Sequence, residues 1–123
     1  MLRHAHRDTS KGRERDNGLS PKGRQQALAC ARYLEKRFRK ESPRLLSSPS
    51  RRCVETLRPL AQRGRTPIRR EPLLQEQETP SETDLQFRRR VSHFLAWWRS
   101  EGPELLAACS HGDWIPESLF QLL

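Results

Sequence analysis

No stretch of this 123-residue chain approaches the roughly 18 consecutive apolar residues that a membrane helix requires. The amino terminus, Met1-Leu2-Arg3-His4, also lacks the apolar core of a secretory leader. Together these absences predict a soluble, cytoplasmic protein with no membrane partner. There are only three cysteines, Cys30, Cys53 and Cys109, with no CxxC spacing, and each lies in an apolar segment. They read as reduced structural thiols, not as a disulfide framework. Aromatic residues make up 7% of the chain and do not interleave with the basic ones, which argues against a base-stacking, nucleic-acid-binding platform. Without an internal repeat or a linker, a chain of this length is expected to form one domain spanning residues 1–123.

Positive charge is abundant. Lys and Arg number 24 against 15 Asp and Glu, a net charge of +9, so the surface field should attract anions such as phosphoesters. Apolar residues amount to 33%, yet they gather in periodic segments, as a folding chain with a modest core requires.

Residues 6–18 are almost wholly polar and end in Asn17-Gly18, the composition of an exposed loop. Ser20 and Pro21 then provide an N-cap and a first helical residue, and Ala27, Leu28, Ala31, Leu34 and Phe38 recur at helical spacing to about residue 40. Leu45-Leu46 runs as a short strand into Ser47-Ser48-Pro49, where the same Ser-Pro grammar opens a second helix bearing Val54, Leu57 and Leu60-Ala61. Residues 67–70 suit a brief strand. Residues 80–100 suit a third helix with Leu85, Val91, Phe94, Leu95 and Trp98 on its apolar stripe, so Trp97 and Trp98 are read as packing residues. Residues 104–110 form an apolar run expected as a buried strand, followed by a helix to Leu123. Alternating strands and helices predict a layered α/β fold.

In open α/β sheets, ligands bind beyond the carboxyl ends of the strands. Arg3-His4, Ser47-Ser48-Pro49 and Ser110-His111-Gly112 all fall at such ends in this reading. Arg52 lies in the first turn of the second helix, where free N–H groups and the dipole favour an anion. Its guanidinium would add bidentate recognition of phosphate.

These segments resemble the motifs of the histidine phosphatase (phosphoglycerate mutase-like) superfamily. Leu2-Arg3-His4-Ala5 is similar to its Arg-His-Gly motif, with Ala5 in the glycine place. Gly18-Leu-Ser-Pro-Lys-Gly-Arg-Gln-Gln-Ala27 resembles the Leu-Thr-x-x-Gly-x-x-Gln-Ala segment, and residues 47–56 resemble Ser-Ser-Pro-x-x-Arg-x-x-x-Thr. Leu74-Gln75-Glu76 and Ser110-His111-Gly112 resemble the Leu-x-Glu and Ser-His-Gly motifs.

The resemblance implies a three-layer α/β/α sandwich with a mostly parallel sheet. It also implies a phosphate pocket of Arg3, His4, Arg52 and His111, with His4 as the nucleophile that becomes transiently phosphorylated. A neutral imidazole is a competent nucleophile, and two displacements replace one difficult step. Arg3, Arg52 and His111 would meet the charge in transit, so no metal or cofactor is called for. Glu76 is the first candidate for the proton donor, with Asp113 and Asp8 as rivals. Arg7, just past the turn, is a further candidate for substrate binding, while His6 and His93 read as surface residues.

Only Met1-Leu2 precedes Arg3-His4, so the first strand is expected to be short. The short segment after His111 offers no room for the insertions that enclose a mutase substrate, which favours a phosphatase over a phosphotransferase. The compact form looks most like the short bacterial phosphatases of protein phosphohistidine, and small phosphoesters fit equally well; the oligomeric state is left open. Three rival readings stand beside this one. His4-x-His6 with Cys109-x-His111-x-Asp113 could ligate zinc in a metal-dependent hydrolase. The net charge alone would suit a nucleic-acid-binding module. The third rival is a relative that binds phosphate without turnover.

Overall fold

The computed structural model describes residues 1–123. Four parallel strands form one sheet in the order β1-β4-β2-β3: β1 (Leu2–Arg3), β2 (Arg44–Ser47), β3 (Ile68–Arg70) and β4 (Leu106–Ser110). The helices are α1 (Pro21–Arg37), α2 (Arg51–Gly64), α3 (Asp84–Glu101) and α4 (Trp114–Leu122), with a 3-10 turn at Pro72–Leu74. The predicted α/β/α sandwich is therefore present, and the first strand is indeed only two residues long.

Strand pleating divides the core in two, because successive side chains point to opposite faces. Leu45 and Cys109 face α1 and α2, where they pack with Ala31, Cys53, Leu57 and Leu60. Leu46 and Ala108 face α3 and α4, where they pack with Leu74, Phe87, Val91, Phe94, Leu95 and Trp114. The second core holds the large rings. Phe94 and Trp114 meet edge to face at 5.4 Å, a pairing worth about 1 kcal/mol beyond burial.

α1 begins as expected, with Pro21 at its start and the Ser20 hydroxyl accepting from the Gly23 amide at 3.0 Å. Its buried face is narrower than the periodicity predicts. Gly23, Ala27 and Ala31 lie inside, whereas Leu28 is exposed, because small residues let the helix pack closely. A Cβ at Gly23 would overlap the His6 carbonyl, so only glycine fits there.

α2 starts two residues later than its Ser-Pro signal suggests, with Ser50 rather than Ser48 in the cap position. On α3, Thr83 and Gln86 complete a reciprocal capping box. Leu85 and Trp98 are exposed on α3, and Phe87 fills the core place assigned to Leu85. Cys30, Cys53 and Cys109 are free thiols, the last two fully buried.

Candidate active site

β1, β4 and β2 are adjacent and parallel, so their carboxyl ends open on the same edge of the sheet. Register places Arg3 beside Ser110 and Ser47 beside Cys109. His4, Ser48 and His111 therefore follow one residue later at neighbouring strand ends. The His4 amide continues the ladder to the Ser110 carbonyl at 3.1 Å, and the rings of His4 and His111 stand 5.5 Å apart.

The His4 Nδ1 lies 2.9 Å from the Ala5 carbonyl, to which it can only donate. Nε2 is left with its lone pair, the arrangement a nucleophile needs. Burial is the main force lowering the His4 pKa below 6.5, and the Ala5 hydrogen bond opposes it. Repulsion from Arg52, His111 and Arg3 adds to the lowering, so the neutral imidazole is favoured near neutrality. Ala5 has a negative φ, so nothing at this turn requires the glycine of the related motif. Its amide is held by Thr56 Oγ1 at 2.9 Å, and Thr56 in turn donates to the Arg52 carbonyl.

Arg52 is 4% exposed. Nη2 contacts Glu76 Oε1 at 2.8 Å and His111 Nδ1 at 3.2 Å, and Nη1 lies 3.4 Å from Asp16. Its Nε is buried without a partner, and so is Asn17 Nδ2. A buried donor without an acceptor is costly unless a ligand completes it, which makes Arg52 Nε, beside His111, a candidate anion-binding group. Arg51 instead turns outward to pair with Glu55. Arg3 is exposed, and its guanidinium passes over Gly112, where a Cβ would come within 3.1 Å of its Cζ.

One expectation needs correction. The first amides of α2 do not await a phosphate, because the Asp16 carboxylate accepts from the Arg51 and Arg52 amides at 2.6 and 3.3 Å. An internal anion thus occupies the positive end of the helix, and Ser50 contributes no side-chain cap. Sequence reading passed over Asp16 and Asn17 because both sit in a polar loop with no periodic or cap signal.

Among the carboxylates, Glu76 is brought closest to the histidines, with Oε2 at 3.8 Å from His111 Nδ1. Asp113 is tied to the Gln77 amide at 2.9 Å. Asp8 accepts from the Ser10 amide, and hydrogen bonds from Ser10 hold it below the ordinary carboxylate range, which makes it a poor proton donor. Arg7 sends Nη2 to the carbonyls of Arg13 and Arg15 at 2.7 and 3.2 Å, so it staples the loop over residues 8–17. Nη2 is thereby engaged within the loop, while Arg7 Nε is buried without a partner.

The segment carrying Glu76 is firmly held. Ser110 Oγ donates to the Leu74 carbonyl and Trp114 Nε1 to that of Leu73. Arg90 on α3 uses all five of its donors, on the carbonyls of Leu73, Gln75 and Glu76 and twice on Glu82. Beyond Glu76 lies an open cleft of about 740 Å³ lined by Pro49, Gln75, Glu78, Glu82 and Arg90 among others.

The side chains of the zinc reading do not gather. His6 lies against Ser20 at 2.6 Å, Asp113 is tied to Gln77, and Cys109 is in the core. No helix is long and apolar enough to cross a membrane.

Comparison with known proteins matches residues 1–81 to the model of the histidine phosphatase superfamily (branch 1). No curated protein matches significantly. Among solved structures, mycobacterial glucosyl-3-phosphoglycerate phosphatase in complex with VO3 superposes with a TM-score of 0.76 at 24% identity, over 100% of this chain and 78% of that one. Phosphoserine phosphatase from Entamoeba histolytica, in complex with 3-phosphoglyceric acid, gives 0.77 at 18% identity, over 98% and 77%. SixA from Agrobacterium tumefaciens, a candidate phosphohistidine phosphatase, gives 0.71 at 21% identity, over 99% and 74%. These likenesses establish a shared fold.

Proposed function

Because the chain belongs to the histidine phosphatase superfamily, we propose that it is a phosphatase that works through a phosphohistidine on His4. The observation that carries this reading is the tethered His4 ring, with Nδ1 held by Ala5 and Nε2 free in a pocket of cationic and unsatisfied donors. Residues 1–123 act as one domain in this reading, since the strand nearest the amino terminus is completed by β4.

In the first displacement, His4 Nε2 attacks phosphorus while the bond to the leaving oxygen breaks. Glu76 supplies the proton that oxygen needs. In the second, water attacks the phosphohistidine, Glu76 takes a proton from the water, and inorganic phosphate leaves with His4 restored. Arg3, Arg52 and His111 meet the phosphoryl oxygens, stabilising charge where it develops. These groups make the chemistry independent of metal. The substrate is a phosphate monoester or a protein phosphohistidine, and an open cleft lies beside Glu76.

The test compares wild type with His4→Ala on p-nitrophenyl phosphate and on a phosphohistidine protein. The variant should lose at least about 10³-fold in kcat, together with the acid-labile phosphate carried by the wild type. Activity should survive EDTA and be blocked by vanadate. Since the lowered pKa keeps the His4 lone pair available, protonation of His4 should not limit kcat/KM until the pH falls below 6.5. Undiminished hydrolysis by His4→Ala would sink the reading.

A further inference from the structure

Ser48 and Gln75 bear on which proton His111 carries; Cys53 Sγ also lies 3.6 Å from His111 Nε2, with its thiol directed at the Ser110 carbonyl. Ser48 is fully buried and His111 is 2% exposed, so water does not compete for their bonds. Ser48 Oγ has a single proton, which it donates to Gln75 Oε1 at 2.8 Å. Its 2.8 Å contact with His111 Nε2 is then a bond that the ring must donate. The Ser50 amide, at 3.3 Å, fills the remaining acceptor site of Ser48.

A second constraint gives the same answer from the other side of the ring. Arg52 can only donate, and its Nη2 lies 3.2 Å from His111 Nδ1, so Nδ1 must accept. Neutral His111 therefore holds its proton on Nε2 and turns a lone pair toward the pocket. It can donate to a phosphoryl oxygen only after taking up a proton from solvent at Nδ1. The chain from Nε2–H through Ser48 to Gln75 fixes the orientation of the ring as well as its tautomer.

We propose that Gln75 is a positioning residue for phosphoryl transfer, acting through Ser48 to set the tautomer of His111. Arg90 makes this possible by holding the Gln75 carbonyl at 2.6 Å, which fixes where the side chain starts. The proposal rests on the phosphatase reading for its kinetic consequence, whereas the tautomer itself is independent of turnover.

The experiment is long-range ¹H–¹⁵N spectroscopy on the full chain with labelled histidine, His111 being assigned by comparison with His111→Gln, alongside kinetics on p-nitrophenyl phosphate. Wild type should show the Nε2–H tautomer. Gln75→Met keeps the length but removes the acceptor, freeing the Ser48 hydroxyl to point at His111. It should show a mixture of tautomers and a kcat lowered about tenfold, the scale of one hydrogen bond to a charged group, with KM within about twofold. Gln75→Glu restores an acceptor and should recover the wild-type tautomer and most of kcat. Ser48→Ala should disturb the tautomer in the same way, so the idea does not hang on the folding of one variant. An Nδ1–H tautomer in the wild type, or unaltered spectra and kcat in both Gln75→Met and Ser48→Ala, would overturn the proposal. A wild type with the Nε2–H tautomer but no turnover would instead overturn the phosphatase reading and leave the tautomer assignment standing.

Discussion

The floor and the rim of the pocket are built differently. The floor consists of His4, Ser48, Arg52 and His111, set at strand ends or in the first turn of a helix; Ser48, Arg52 and His111 are almost wholly buried. The rim consists of Glu76 and Asp16, carried on loops; their side chains are 46% and 27% exposed. A strand end constrains direction through the ladder, so floor residues inherit their geometry from the backbone. A loop does not, so each rim residue depends on a partner: Arg90 holds the chain around Glu76, and the amides of α2 hold Asp16. Floor substitutions should therefore act on chemistry, and rim substitutions on leaving-group dependence or stability.

The sharpest way to break this comparison is Arg52→Met. It removes the group that joins floor to rim, and kcat/KM should fall about 10²-fold or more, the scale of one lost oxyanion donor. A fall below fivefold, measured with p-nitrophenyl phosphate, would show that the buried guanidinium is only structural.

Glu76→Gln probes the rim. It should lower kcat about tenfold or more on an alkyl phosphate, whose leaving oxygen needs a proton, and far less on p-nitrophenyl phosphate, whose leaving group is stable as an anion. Asp113→Asn, in contrast, should leave that leaving-group dependence intact, because Asp113 is engaged with Gln77. Reversal of the two variants would transfer the proton-donor role to Asp113.

The smallest effect belongs to Asp16→Ala, which strips the carboxylate from the start of α2. By analogy with a lost N-cap, it should cost about 1 kcal/mol of stability, read from the denaturant midpoint. No change in the midpoint would mean that water replaces the carboxylate without loss.

Much of the fold and the floor was legible in the order of residues. Ser20-Pro21 marked the start of α1, the apolar run at 104–110 marked β4, and the phosphatase motifs named His4, Arg52 and His111 in sequence order. These signals are local, since caps, strand runs and short motifs are written in neighbouring residues. The start of α2 was misread because Ser48-Pro49 carries the same local signal as Ser20-Pro21. The Ser48 hydroxyl is instead engaged with His111 and Gln75, residues far away in the chain. Leu85 and Leu28 were misplaced for a related reason, since periodicity does not say how wide the buried stripe is.

The sequence by itself thus determined the alternation of strands and helices, the α/β class and the family motifs that carry His4, Arg52 and His111. Only the tertiary structure decided that Asp16 caps α2, that Arg7 staples a loop, that Glu76 pairs with Arg52 beside His111 while Asp113 and Asp8 bond elsewhere, and that Gln75 reaches His111 through Ser48. The reason is physical. Helix caps and strands follow from near neighbours, whereas a side-chain hydrogen bond between Ser48 and His111, 63 residues apart, exists only once the parallel register has brought their strand ends side by side.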